Sequence, residues 1–259
     1  MSTPGIVLLV WCVAAVLQTL GWIWQKRRRN AGIVDALWAL GLAIAAVLCA
    51  ALGQGAVLPR ALLAFCGGVW GLRLAWHLWR RVRGEAEDGR YAQLRTRWHE
   101  DQRKWFAFFQ FQAGLVALFA LPFLAVASNA DPAPQWIVAA LAIWIISVAG
   151  EALADRQLAT FRADPAQRGR TCRVGLWRYS RHPNYFFEWL HWFTYVFLAL
   201  GSPSVRLAAA GPLVMYVFLR WLSGIPFTEA QALRTRGDDY RDYQRTTSML
   251  LPWFPRRSP

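Results

Sequence analysis

Apolar runs long enough to cross a bilayer recur along almost the whole chain, and they limit what it can fold into more than any other feature. A transmembrane helix needs roughly 20 predominantly apolar residues. Seven runs qualify: Gly5 to Trp24, Ile33 to Leu52, Leu58 to Leu78, Phe106 to Ala127, Trp136 to Leu153, Tyr185 to Leu200, and Leu207 to Ile225. The chain has 259 residues, 56% of them hydrophobic, and a net charge of +14. A soluble domain of this length cannot enclose so much apolar surface. A membrane protein can face it to lipid and keep its charges in loops. The expected fold is therefore all-α: a polytopic membrane protein of seven transmembrane helices. Glu151 and Glu188 lie at or inside the fifth and sixth runs.

The connections alternate in character. Gly53 to Pro59, Ser128 to Gln135 and Gly201 to Arg206 are short and nearly uncharged. Lys26 to Asn30, Arg80 to Lys104, Asp155 to Pro183 and the tail after Ile225 are rich in Arg. Of the 29 Lys and Arg residues, only Arg60, Arg73, Arg206 and Arg220 lie outside those four segments. Basic residues collect on the cytoplasmic side of membrane proteins. The pattern predicts an N-terminus outside and a C-terminus in the cytoplasm. The membrane would be a bacterial inner membrane or, in a eukaryote, the endoplasmic reticulum. The first run has no basic stretch before it and is followed by Lys26-Arg27-Arg28-Arg29, so it reads as a span rather than a cleaved signal. Its flanking position explains the positive charge better than nucleic-acid binding does. The 16 Trp residues fit the same picture, because Trp favours the membrane–water interface. Cys12, Cys49, Cys66 and Cys172 form no CxxC pair, and His77, His99, His182 and His191 have no metal-ligand spacing. No repeat or linker divides the chain, so one domain over residues 1–259 is expected.

Polar residues inside spans usually have a partner or a task, since each costs roughly 2.5–3.5 kcal/mol to insert. Asp35 lies one turn into the second span. It is either a carboxylate paired with Arg27 or Arg28, or a proton donor in a cavity. Asn184, Glu188, His191 and Tyr195 are spaced by four, three and four, which places them on one helical face. That stripe faces a cavity or joins a hydrogen-bond network between helices. Glu151 and Asp155 also share a face, and Arg162 follows if the helix continues. The segment Arg170 to Asn184 brings Arg170, Arg173, Arg178, Arg181 and His182 to a helix N-terminus. Helix N-termini attract anions, and Arg bonds phosphate bidentately. A phosphorylated ligand entering from the cytoplasm fits this pattern. Its binding elements would be loops 80–104 and 155–183 and the tail 226–259, with Glu87-Asp88-Gly89-Arg90-Tyr91 as part of a lid. The chain lacks GxGxxG, GxxxxGK[ST] and GxSxG, so Rossmann, P-loop and hydrolase readings have no support.

The run Gly175-Leu176-Trp177-Arg178-Tyr179-Ser180-Arg181-His182-Pro183-Asn184-Tyr185-Phe186-Phe187-Glu188 resembles the signature of the DUF1295 family. That family is related to the C-terminal domain of steroid 5-alpha-reductases. Asn30 to Trp38, Glu87 to Tyr91, and Asp238 to Tyr243 leading to Leu251-Pro252-Trp253 match as well. The resemblance implies seven helices, an NADPH site at the cytoplasmic side, and hydride transfer to a carbon–carbon double bond conjugated to a carbonyl. It implies that Asn184, Glu188, Asp155 and Arg162 hold the cofactor. Glu151 stands where the reductases often have Asn, Arg83 falls near a cofactor-contacting Arg after the third helix, and Tyr243 fits a tail tyrosine. Arg173, Arg181 and His182 would complete the phosphate side. The catalytic Glu of the second helix is approximated by Asp35. The catalytic Tyr of the third helix falls near Trp70, which cannot supply a proton as a phenol can. His77 and Tyr91 are the other candidates for that donor.

The expected activity is thus NADPH-dependent reduction of an enone in a lipophilic, steroid- or prenyl-like substrate held among the helices. Two alternatives compete with it. A membrane methyltransferase of the isoprenylcysteine type, using S-adenosylmethionine, shares Arg181-His182-Pro183, but its paired Glu after the last span is here a lone Glu229. A transporter would show an inverted repeat or broken paired spans.

Overall fold

The computed structural model describes residues 1–256. In chain order the helices are α1 (Thr3–Arg28), α2 (Ile33–Leu52), α3 (Val57–Gly84), α4 (Gly89–Arg97), α5 (Gln102–Phe119), α6 (Leu121–Ala127) and α7 (Pro134–Ala163). They continue with α8 (Pro183–His191), α9 (Phe193–Leu198), α10 (Val205–Ala208), α11 (Ala210–Val217) and α12 (Ile225–Thr246). No strand occurs among the described residues. The protein is an all-α, multi-pass membrane protein. Many large apolar side chains on its helices point outward, among them Leu8, Val16, Leu20, Val138 and Ile145. In lipid that exposure is solvation rather than a cost.

Six helical stretches are long and apolar enough to cross a membrane: Thr3–Arg28, Ile33–Leu52, Val57–Gly84, Gln102–Ala127, Pro134–Ala163 and Val205–Thr246. Seven transmembrane helices were expected, and these six stretches take in all of the expected runs but Tyr185 to Leu200. The run Tyr185 to Leu200 is two short helices, α8 and α9, parted at Trp192. There the Trp192 N–H bonds to the Trp189 carbonyl at 3.2 Å, one residue short of the α-helical step, which tightens and interrupts the ladder. The last stretch is interrupted as well. Ser223 N–H bonds back to Phe218 O at 2.8 Å across a π-helical turn, Phe218–Leu222, just before Pro226. Conversely, α7 runs about three turns past the expected end of the fifth span, to Ala163.

The chain packs as two compact units. The first comprises Met1–Ile137 and Tyr195–Gly211. Its centre is α2 against α3. The buried face of α2 is small: Ala36, Ala39, Ala43, Ala46 and Ala50. Gly67 and Gly71 of α3 lie against it, so close that a Cβ on Gly71 would come within 2.9 Å of the Ala39 carbonyl oxygen. Small residues let membrane helices approach to backbone contact. Gly71→Ala should therefore force α2 and α3 apart and cost about 1–3 kcal/mol. A thermal-unfolding scan of the purified variant would read this as a lowered midpoint, and an unchanged midpoint would refute the close contact.

At one end of this unit an aromatic cluster holds α4. Tyr91, Trp105 and Phe109 are buried with Ile33 and Val34, and Trp22, Trp79, Trp98 and Phe108 pack around them. Glu87 fastens the turn before α2 to the segment before α4: its Oε1 accepts from Ala31 N and from Arg95 Nη2, both at 2.7 Å.

The second unit comprises Val138–Thr194 and Pro212–Pro259. Here α7 carries the long connection to α8. Trp177 Nε1 donates to Ala154 O at 2.9 Å, and Gln157 Oε1 accepts from Leu176 N at 2.9 Å. Gly175 has φ +56, and a Cβ there would meet the Gln157 amide at 2.3 Å. Only glycine satisfies both the left-handed backbone and the close approach.

Candidate functional site

In the second unit, α7 extends far enough to bring three expected residues onto one face. Glu151 is buried, Asp155 lies one turn on, and Arg162 two turns further. Asn184, at the first turn of α8, donates to Asp155 Oδ1 at 3.2 Å. Glu188 follows on α8, half-buried. The structure thus joins Asp155 to Asn184 directly.

Beyond Asp155 a cleft of about 270 Å³ opens. Leu158, Phe161 and the Asp164–Arg170 turn line it, together with four arginines: Arg162, Arg168, Arg170 and Arg236. None of Arg162, Arg168 and Arg170 has a carboxylate partner among the described residues. Arg236 stacks its guanidinium 5.1 Å over the Tyr240 ring, and its Nε is buried without a hydrogen-bond partner among those residues. Asp164 lies in the same lining, so four cations face one carboxylate there and the concavity is net positive.

Arg173, Arg181, His182 and Tyr243, expected at the ligand, are instead engaged with the protein. Arg181 donates to Glu229 Oε1 at 2.7 Å and to the carbonyls of Gln244 and Thr247 at 2.8 and 2.9 Å. His182 Nε2 lies 3.2 Å from the same Glu229 oxygen, while Gln244 donates to Glu229 Oε2 at 2.8 Å. Arg173 bonds Asp242 and Asp239 at 2.8 and 3.0 Å and sits over the Tyr243 ring. Tyr243 donates to the carbonyls of Trp177 and Ser180. These groups fasten the loop before α8 onto α12. Of the four cleft arginines, the sequence singled out Arg162 and Arg170. Arg168 and Arg236 were recognisable only as loop and tail charges, and Glu229 as the lone remnant of another family's paired motif.

Burial pushes the His182 imidazole below its ordinary value, outweighing its hydrogen bond to the Glu229 carboxylate, which works the other way. The folded protein therefore binds a proton here less readily than the unfolded chain. Stability is fully present above the unfolded value of 6.5 and is lost as pH falls below it. The unfolding midpoint should drop on acidification through that range, and His182→Gln should flatten the drop.

In the first unit, Asp35 meets neither Arg27 nor Arg28. Tyr91 Oη donates to Asp35 Oδ1 at 2.7 Å, and Arg90 Nη2 bonds Asp35 Oδ2 at 3.2 Å. Arg90 also bonds Asp88 at 3.1 Å, and Asp88 accepts from Arg81 at 2.5 Å. A small cavity, of about 20 Å³, touches Asp35 and Tyr91 along with Asn30, Gly32, Leu78 and Val82. A space of that size admits about one water. Burial, then the Asp35 carboxylate, raises the Tyr91 phenol well above its ordinary value, so it stays protonated. Burial opposes the charge on Arg90, but Asp35, Tyr91 and Asp88 more than offset it and hold the guanidinium charged. Burial likewise opposes the Asp88 carboxylate, yet Arg90 and Arg81 hold it below the usual range. Trp70, at the expected position of the third-helix tyrosine, is fully buried in the core. His77 is exposed on α3. Arg83 is exposed too, its guanidinium 5.8 Å from the Trp79 ring.

The model of one protein family, described as "Protein of unknown function (DUF1295)", matches residues 21–247. The chain belongs to the DUF1295 family. The DUF1295 match takes in both constellations, from Asp35 through Tyr91 to the Arg181–Glu188 segment and Tyr243, and stops just before the last residues of the tail. No curated protein and no solved structure matches the chain.

Proposed function

We propose that this DUF1295 protein is an NADPH-dependent membrane reductase that saturates the carbon–carbon double bond of an enone in a lipophilic, steroid- or prenyl-like substrate. The observation that carries this reading is the four-arginine cleft continuing from the Asp155–Asn184 pair along α7. DUF1295 membership and the steroid-reductase resemblance of the Arg181–Glu188 segment support it. In this reading α8 and α9 together make a seventh crossing. The N-terminus is then outside, and the Arg-rich segments are cytoplasmic.

The residues of the second unit fit such a cofactor. Arg162, Arg168, Arg170 and Arg236 offer planar donor forks to phosphate oxygens, and the buried Arg236 Nε gains the acceptor it lacks. Asn184, Glu188 and Asp155 offer amide and carboxylate groups to the polar end nearer the membrane. In this reading Arg173, Arg181, His182 and Tyr243 hold the loop before α8 onto α12 rather than touch the ligand. NADPH, when bound, supplies a hydride to the beta carbon. Tyr91, in the first unit, is the proton donor this reading assigns to the enone carbonyl oxygen, where negative charge would build. Its phenol is bonded to Asp35, and Arg90, 5.2 Å from the ring, would offset the charge left once that proton is given up. Asp35 orients Tyr91, and a proton from solvent water would restore the phenol.

The direct test is binding. Titration of the purified protein with NADPH should shift nicotinamide fluorescence and raise the unfolding midpoint. Arg162→Ala and Arg236→Ala should each remove about 1.5–3 kcal/mol of charge-assisted hydrogen bonding. That is roughly a 10- to 100-fold rise in the NADPH dissociation constant. Silence toward NADPH beside a clear response to S-adenosylmethionine would replace the reductase with a methyltransferase.

A further inference from the structure

The end of the tail is tied down by its backbone yet displays its largest apolar side chains. Residues 248–253 run alongside 179–181. Arg181 N donates to Ser248 O at 2.8 Å and Trp253 N donates to Tyr179 O at 2.9 Å. Ser180 Oγ donates to Leu250 O at 2.8 Å, Leu250 is buried, and Arg256 N closes the strap on Thr246 O at 2.8 Å. Trp253 and Phe254 nonetheless remain 73% and 76% exposed, with Leu251 at 56%. Phe254 meets only the edge of Tyr179, at 6.0 Å.

The strap cannot turn these rings inward without breaking its bonds to the 179–181 loop. Water is a poor solvent for them, since each aromatic ring hides 150–250 Å² when covered. Along the two segments themselves the charge has one sign. Arg178 and Arg256 flank them, both exposed, and no carboxylate occurs between Arg168 and Pro183 or from Gln244 to Arg256. Exposed Trp and Phe flanked by Arg match a lipid headgroup layer, where the ring body meets acyl chains and the cations meet phosphate. Such a layer is close at hand for a chain with six helices apolar enough to span it.

We propose that the strap Ser248–Arg256 lies on the surface of an anionic lipid leaflet, with Trp253 and Phe254 entering the headgroup region. Arg178 and Arg256 pair with lipid phosphates there. Because the strap bonds to 179–181, lipid contact also steadies the loop that leads into α8. This inference does not depend on the reductase reading and survives its failure.

The test uses the full chain in nanodiscs, with a nitroxide at Phe254→Cys in a Cys12→Ser background, since Cys12 is the one exposed cysteine of the four. A label at Asp238→Cys, a side chain 93% exposed, serves as the aqueous control. In phosphatidylglycerol discs the label at 254 should favour collision with oxygen over a water-soluble nickel chelate, and the control should show the reverse. A label at 254 that behaves like the control overturns the proposal. So does one shielded from both reagents, which would mean that protein, including a second copy, covers the strap. Discs of phosphatidylcholine alone should reduce the oxygen preference; equal preference in both would overturn the pairing with anionic lipid.

Discussion

Tyr91→Phe should reduce turnover of an enone substrate about 10²–10³-fold, the usual consequence of losing a donor aimed at developing oxyanion charge. The NADPH dissociation constant should stay within about twofold, because Tyr91 bonds Asp35 and is not among the residues lining the four-arginine cleft. Removing one oxygen leaves no cavity of consequence, and Asp35 keeps Arg90. A fall in turnover with unchanged cofactor binding therefore reads chemistry and not folding. Asp35→Asn should be slower than the native protein but faster than Tyr91→Phe, since it loses the orienting carboxylate and keeps the phenol. Native turnover in Tyr91→Phe would remove Tyr91 from the reaction and return the search for a donor to Asp35 itself.

Glu229→Ala should destabilise the protein by about 3–5 kcal/mol, the range for stripping one partner from a buried ion pair. Glu229 gathers Arg181, His182, Tyr240 and Gln244 around its carboxylate. The Arg181 side chain is only 10% exposed, so without Glu229 its charge would be left with the Gln244 and Thr247 carbonyls. Such an orphaned charge costs far more than a surface pair would. The loop before α8 should loosen with it, because Arg181 is one of its ties to α12. Thermal unfolding in detergent should show a midpoint well below that of the native protein, and NADPH should restore part of the loss if its site forms on that loop. Glu229→Gln keeps acceptors and should fall between. A midpoint equal to the native one would mean that the carboxylate bears no weight in the folded state.

The membrane class of this protein and the segments that concentrate its chemistry were legible in the order of its residues. Apolar runs of spanning length and Arg-rich connections are local properties, and lipid leaves the backbone little choice but helix. Helical periodicity likewise puts Glu151, Asp155 and Arg162 on one face, but the bond from Asn184 to Asp155 joins two helices and is set by their packing. Periodicity could not tell which charges would neutralise one another. Arg162, Arg173 and Arg181 look alike in the sequence, yet tertiary packing gives Arg173 and Arg181 to carboxylates of α12 and leaves Arg162 in the cleft with Arg168, Arg170 and Arg236. Asp35 and Tyr91, separated by 55 intervening residues, likewise meet only because an aromatic cluster holds α4 in place. Partner choice among distant charged groups depends on three-dimensional distance and burial, which no local pattern records.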